Sequence, residues 1–255
     1  MALILSVNDV SVGYKTQFVL DSISFELRSS EICAIVGING VGKSTLLRTL
    51  AKLQPTIDGE ILVKGKSLSD YTPLQFAKST AIVLTEPLAT KNLTVLELLA
   101  LSRYPHTNWW GKLDRNDKLK LEATIKQFEL NDFKTKKCYE LSDGELQRVL
   151  IAKAMAQDTS LILLDEPTTH LDLFNKVQIF RLMQELAHKN RKTIVFTTHE
   201  INLAIQLCDK ILILDGINNS FGEPSELIKN HHFTNLFPSD YIEFDNNARN
   251  FKVKK

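Results

Sequence analysis

The sequence predicts an α/β fold with a strand-rich beginning, a helical insertion and a closing half in which strands and helices alternate. Three observations predict it. Apolar and polar residues alternate with period two through the first third of the chain, as on half-buried strands. After about residue 86 the apolar residues fall at helical spacing. From residue 161 strands and helices follow one another in the rhythm of a parallel sheet covered by helices.

In chain order, LILSVNDVSVGY and VLDSISFEL alternate as half-buried strands. EICAIV is apolar on both faces and predicts a strand buried from both sides, and GEILVKG reads as a short strand between glycines. TVLELLALSR predicts a helix capped by Thr94, with Glu97 three residues on, and DRNDKLKLEATIKQFEL predicts another beginning at Asp114. The helix after LSDG continues through LQRVLIAKAMAQ. Then come LILLDE, LFNKVQIFRLMQELAHKN, KTIVFTTH, EINLAIQLC and KILILDG, strand and helix in turn. This divides a single domain, residues 1–240, into a core of 1–85 and 158–240 and an insertion of 86–157. Residues 241–255, ending NNARNFKVKK, are expected to form a frayed polar tail.

Bulk properties narrow the function classes. Of 255 residues, 44% are hydrophobic and 24% charged, which suits a globular chain with a substantial core rather than a disordered one. A formal charge of +1 gives no bulk reason to expect a nucleic-acid partner. Cys33, Cys138 and Cys208 are scattered, so a reducing compartment is expected, with Cys33 as core filling. The N-terminus has no basic region, Asp9 interrupts its apolar run, and no stretch approaches the roughly 18 apolar residues of a membrane span. The expectation is a cytoplasmic chain that is soluble by itself and can dock on a membrane protein.

GINGVGKS, residues 37 to 44, fits G-x-x-x-x-G-K-[ST], with a buried strand before it and the helix STLLRTLAKL after it. Gly37, Gly40 and Gly42 let the backbone curl so that successive N–H groups converge on phosphate oxygens. The helix N-terminus adds partial positive charge. Lys43 is the point charge for the β- and γ-phosphates, and Ser44 supplies a hydroxyl to Mg²⁺.

LILLDEP ends an apolar strand in two acids. Beside a phosphate loop, Asp165 can hold the hydration shell of Mg²⁺, and Glu166 can orient or deprotonate an attacking water. His199 ends the next strand on the edge where such sheets bind ligands, which places it to touch the γ-phosphate. No residue has the look of an acceptor nucleophile, which favours hydrolysis over transfer. A second turn, LSDGE at 141 to 145, opens a helix; Ser142, Asp143 and Gly144 are also good capping residues.

Together these residues resemble the ATP-binding subunit of an ABC transporter over nearly the whole chain. The resemblance implies a P-loop NTPase (RecA-like) core, an N-terminal antiparallel β-subdomain and an inserted α-helical subdomain. It makes Gly37 to Ser44 the P-loop, with Asn39 and Thr45 among its nucleotide contacts, and Asp165 and Glu166 the end of the Walker B strand. THLD, residues 169 to 172, resembles the D-loop, and His199 the switch histidine. Tyr14 falls where the family has its adenine-stacking aromatic, although a strand-end tyrosine has a plain core reading as well. LSDGE resembles the signature, usually LSGGQ. In that family two subunits pack head to tail, so Ser142 and Gly144 would reach the γ-phosphate of the partner's ATP. The chain has two phosphate turns because each serves a different nucleotide.

Two departures stand out. Asp143 and Glu145 put acids beside that turn, and their charges must point away from the nucleotide or be paired. The Q-loop glutamine is missing: its candidates are Thr85 and Glu86, and we expect Glu86 to take the role and ligate Mg²⁺.

RYPH at 103 to 106, then a short loop and Gly111, resembles importer subunits for iron–siderophore, haem and cobalamin. Such subunits are homodimers on the cytoplasmic side of the inner membrane, beneath a separate permease fed by an external substrate-binding protein. Trp109 and Trp110 either line the permease contact or fold back onto the insertion. The alternative from another class is a soluble, non-transport ABC ATPase acting on ribosomes or DNA, which usually has tandem cassettes or long coiled-coil insertions. A P-loop kinase would need an acceptor site and leaves LSDGE without a purpose. His231 and His232 read as solvent-facing rather than as a metal site.

Overall fold

The computed structural model describes the chain except residues 15, 16, 87, 217, 235, 238–240, 247 and 255. Strands β1 (Leu3–Tyr14) and β2 (Gln17–Arg28) pair antiparallel, and β4 (Asp58–Val63) and the two-residue β5 (Lys66–Ser67) extend them in the order β2-β1-β4-β5. The second sheet has the order β10-β9-β3-β8-β7-β6. Its parallel members are β3 (Ile32–Gly37), β6 (Thr80–Val83), β7 (Leu161–Leu164), β8 (Thr193–Thr197) and β9 (Lys210–Leu214). β10 (Ser220–Gly222) closes one edge antiparallel.

β3 is apolar on both faces because each face feeds a different core. Ile32, Ala34 and Val36 pack into one cluster with the helices, while Cys33 and Ile35 pack into the other with β1, β2, β4 and helix α1 (Lys43–Leu50). Each fully buried Ile or Leu contributes about 1.5–3 kcal/mol, so this shared strand welds the two sheets together. Cys33 is core filling as expected: burial pushes its thiol far above the ordinary range.

Between β6 and β7 lie α3 (Val95–Leu101), α4 (Arg115–Gln127) and α5 (Asp143–Ala156). Thr94, Asp114 and Ser142 are their N-caps, each accepting from the backbone N–H three residues on. Arg103, almost fully buried, ties the three together: its Nε donates to Asp117 Oδ1 at 2.9 Å and its Nη1 to the Ala156 carbonyl at 2.8 Å. Beyond β7 come α6 (Leu173–His188), α7 (Ile201–Leu207) and α8 (Pro224–Lys229). Thr72 and Pro73 start a further short helix, α2 (Pro73–Ala77), before β6.

One expectation needs correction. The end of the chain does not fray throughout: β11 (Ile242–Asp245) and β12 (Asn250–Val253) form an antiparallel hairpin. The reason is apolar. Phe244 and Phe251 pack with Phe233 at 5.1 and 6.4 Å between ring centroids, and Phe237 meets Phe251 at 5.0 Å. The Phe251 N–H also donates to Asn202 Oδ1 on α7.

Candidate functional site

The sheet order puts β8 between β3 and β7, so the C-terminal ends of these three strands share one crevice. At the first, β3 passes into the 37–42 loop. A Cβ at Gly37 would stand 2.4 Å from the Leu214 carbonyl oxygen on β9, and Gly42 has a φ of +111° with Val19 closing against it. Neither position tolerates a side chain. No side chain caps α1, which leaves the N–H groups of its first turn to an external anion. Lys43 is 5% exposed, and its ammonium donates to the carbonyls of Gly37 at 2.9 Å and Ile38 at 3.1 Å. Burial pulls its pKa down, against the opposing charges of Glu166 and Asp165.

Ser44 on the first turn of α1 donates to Asp165 Oδ1 at 3.0 Å, joining the phosphate loop to the end of β7. Thr197, the last residue of β8 and fully buried, donates to the same Oδ1 at 2.7 Å and accepts from the Glu166 N–H at 2.8 Å. Glu166 stands at a φ of 47°. Its Oε1 lies 2.8 Å from His199 Nε2, and its Oε2 accepts from Thr169 Oγ1 at 2.9 Å. A cleft of about 220 Å³ opens here, lined in part by Glu166, Thr169, His170, Lys176 and His199. Larger clefts of about 560 and 790 Å³ lie elsewhere, lined by residues outside this constellation.

Lys43, Ser44, Asp165, Glu166 and His199 are thus gathered as the sequence led us to expect. Tyr14 at the end of β1 is exposed, and its hydroxyl lies 3.4 Å from Thr45 Oγ1. The ring is therefore open to solvent beside the loop and is not core. Asn39 is exposed on the loop and Gly40 takes a φ of +78°. Thr197 escaped the sequence reading.

Three further candidates, Glu86, Ser142 and Gly144, lie outside this cluster. Glu86, the carboxylate we expected at the metal, pairs with Arg48 of α1 at 2.6 Å. Thr85 is the candidate that meets the acids, its hydroxyl donating to the Asp165 carbonyl at 3.2 Å. Ser142 and Gly144 belong to another place. Among the described residues no hydrogen bond joins their turn to the 37–45 segment. Ser142 caps α5, Glu145 Oε2 accepts from both the Ser142 N–H (2.8 Å) and its hydroxyl (2.7 Å), and Asp143 is exposed. The acid at 145 is therefore paired by hydrogen bonds and held below the ordinary carboxylate range by them. A Cβ on Gly144 would stand 3.2 Å from the Asn175 side chain at the start of α6.

The donor set fits Mg²⁺. A serine hydroxyl and a carboxylate are the hard oxygen donors that this ion takes. Ser44 Oγ and Asp165 Oδ1 are 3.0 Å apart. Among the described residues no cluster of three His, Cys, Asp or Glu could hold a metal by itself.

Trp109 and Trp110 are 95% and 87% exposed, so they do not fold back onto the insertion. His231 and His232 are exposed and bond to Asn246 and Ser220.

The chain is similar to known proteins. The family model for ABC transporters matches residues 20–169. The probable siderophore transport system ATP-binding protein YusV of Bacillus subtilis is 36% identical over 91% of this chain and 85% of its own length. A solved structure of a transporter assigned to the metal-chelate type, in an inward-facing conformation, is 31% identical with a TM-score of 0.80, covering 92% of this chain and 89% of that one. The dimeric ATP-binding cassette MJ0796, solved with ADP and phosphate after hydrolysis, is 26% identical with a TM-score of 0.72, covering 85% of this chain and 98% of that one.

Proposed function

This chain belongs to the ABC transporter family and is an ATP-binding ATPase of it, and from that premise we propose that it drives import of an iron–siderophore chelate through a separate membrane permease. Among the described residues no helix is long and apolar enough to cross a membrane. The reading makes the chain a peripheral subunit on the cytoplasmic face of the membrane. It works as a homodimer beneath the permease, which an external binding protein supplies. The similarity to a siderophore-system subunit and to a metal-chelate transporter supports the cargo class; haem and cobalamin are the neighbouring alternatives.

The observation that carries the ATPase mechanism is the pair of acids fixed by Thr197 and aimed at the loop by Ser44. ATP lays its phosphates on the N–H groups of the 37–45 segment, and Lys43 exchanges the Gly37 and Ile38 carbonyls for phosphate oxygens. Tyr14 offers its exposed ring to the base. Ser44 and Asp165 are the residues that would hold Mg²⁺, which when bound neutralises charge on the β- and γ-phosphates. Glu166 takes a proton from the attacking water as its oxygen bonds to the γ-phosphorus and the bond to ADP breaks, while His199 and Thr169 hold the carboxylate in place. Ser142 and Gly144 donate to the γ-phosphate bound by the partner, so neither half-site is complete alone. The two subunits close on ATP and reopen after hydrolysis, and the 86–157 insertion passes this motion to the permease. The exposed Trp109 and Trp110 belong to that contact.

The test is reconstitution of the subunit with its co-purifying permease in proteoliposomes. ATP hydrolysis should rise with binding protein loaded with a ferric siderophore and remain basal with haem or cobalamin. Stimulation by haem or cobalamin alone would reassign the cargo. Co-purification with ribosomes or DNA rather than a permease would remove the transport reading.

A further inference from the structure

The signature turn holds a feature that the ATPase mechanism does not use. Glu145 Oε2 accepts two hydrogen bonds from one residue, the Ser142 N–H at 2.8 Å and the Ser142 hydroxyl at 2.7 Å. The Glu145 N–H reaches back to the same hydroxyl oxygen at 3.4 Å. A serine hydroxyl has one proton, and a carboxylate has none to give in return, so the direction of the 2.7 Å bond is settled: Ser142 donates. The proton that composite-site chemistry needs for the partner's γ-phosphate is therefore already engaged inside its own helix cap. A carboxamide at this position could accept the N–H through its oxygen and donate through its nitrogen to the Ser142 oxygen, leaving the hydroxyl proton free.

We propose that Glu145 is a latch on Ser142, a positioning residue that raises the ATP concentration needed to close the dimer. The proposal rests on the composite-site reading given above and deepens it. Closure must exchange a hydrogen bond to a carboxylate for one to a phosphate, and the exposed Asp143 beside it adds a second negative charge on the same turn. The same chain supplies an internal control. In the cap of α3, Thr94 donates its N–H and its hydroxyl to Glu97 Oε2, both at 2.8 Å, in a place with no role in the ATP site. The bonding is alike in the two caps; only the location distinguishes them.

The experiment uses the full chain in a Glu166→Gln background, so that ATP is bound and not consumed, and follows dimer formation by light scattering against ATP concentration. Glu145→Gln keeps an acceptor for the cap N–H, and circular dichroism and melting verify that α5 is retained. Freeing a hydrogen bond to a charged group should lower the half-closing ATP concentration by about tenfold or more. Glu97→Gln should leave it unchanged, and Ser142→Ala should weaken closure. Adding Glu145→Gln to Ser142→Ala should change nothing further, because the latch has nothing left to hold. If Glu145→Gln closes at the parent concentration while Ser142→Ala weakens closure, the latch is wrong and the composite site stands. A Glu145→Gln gain that persists without Ser142 also overturns the latch, since charge alone would then explain it. If Ser142→Ala closes normally, the composite site falls and the latch falls with it.

Discussion

Thr197 fixes the two acids with one hydroxyl, accepting from the Glu166 N–H and donating to Asp165 Oδ1 from a fully buried position. Replacing it by valine keeps the shape and removes both bonds, leaving the Glu166 N–H without its acceptor at a backbone φ of 47°. Thr197→Val should therefore lower kcat by about tenfold or more while nucleotide affinity changes little, as read from steady-state ATPase and equilibrium binding of a fluorescent ATP analogue. The two charged groups should separate cleanly in the same assays. Lys43→Ala should weaken binding by roughly ten- to a hundredfold, the worth of a charge-assisted hydrogen bond. Glu166→Gln should bind ATP normally and turn over about 10²–10⁴-fold more slowly, the usual contribution of a general base; normal turnover would take that role away from Glu166. These charged residues were legible in the sequence because their chemistry is local: GKS and LLDE announce themselves by type, order and neighbouring strand. Thr197 was not, since a threonine at a strand end has no type-specific signal until the sheet order puts it between the loop and the acids. The pairing of Glu86 with Arg48 was hidden for a similar reason. Its carboxylate is within reach of Arg48 only through the packing of α1, which no spacing in the sequence reveals.

At the scale of elements, a buried ion pair ties the helical insertion together. Arg103 and Asp117 have side chains 2% and 4% exposed, and Arg103 also donates to the last turn of α5 through the Ala156 carbonyl. Such a pair adds little net stability when whole, yet breaking it strands a charge. Asp117→Asn should therefore cost about 3–5 kcal/mol near neutral pH and lower the melting temperature by roughly 10 °C. Burial pushes the Asp117 pKa up, but hydrogen bonds from Asp114 and Arg103 outweigh it and hold the carboxyl below its ordinary value. A depressed folded pKa means stability that is present above the unfolded value of about 3.9 and is lost as pH falls through the folded one. The gap between parent and variant, measured by urea unfolding, should accordingly be wide at neutral pH and shrink on strong acidification; a gap independent of pH would contradict the ionic account. The α3, α4 and α5 starts were readable because Thr94, Asp114 and Ser142 cap in sequence-local fashion. β6 was passed over since four residues, TAIV, are too short for periodicity to speak. The closing hairpin was missed because its four phenylalanines are spread over 233–251 among polar residues, and only the fold collects them.

At the scale of the whole molecule, the chain has one phosphate loop with its acids and one separate donor turn, and no hydrogen bond among the described residues joins them. In the proposed dimer, two copies related by a two-fold axis would bring each loop to the other's turn, giving two equivalent sites from one surface. Leu173 and Phe174, exposed at the first turn of α6 directly after the THLD segment, give that surface apolar area next to the turn, since Gly144 already lies against Asn175 of the same helix. The decisive prediction uses two inactive subunits. Lys43→Ala spoils the loop and keeps the turn; Ser142→Ala spoils the turn and keeps the loop. Each homodimer then has two defective sites. In a mixed dimer the intact loop of one subunit faces the intact turn of the other, and the two defects collect in the second site. Random exchange in an equal mixture leaves about a quarter of all sites whole, so ATPase should reappear on mixing two preparations that are each nearly silent. If each nucleotide were served by the loop and turn of its own chain, no combination of the two could restore a complete site. Mixing would then yield only the average of two silent enzymes.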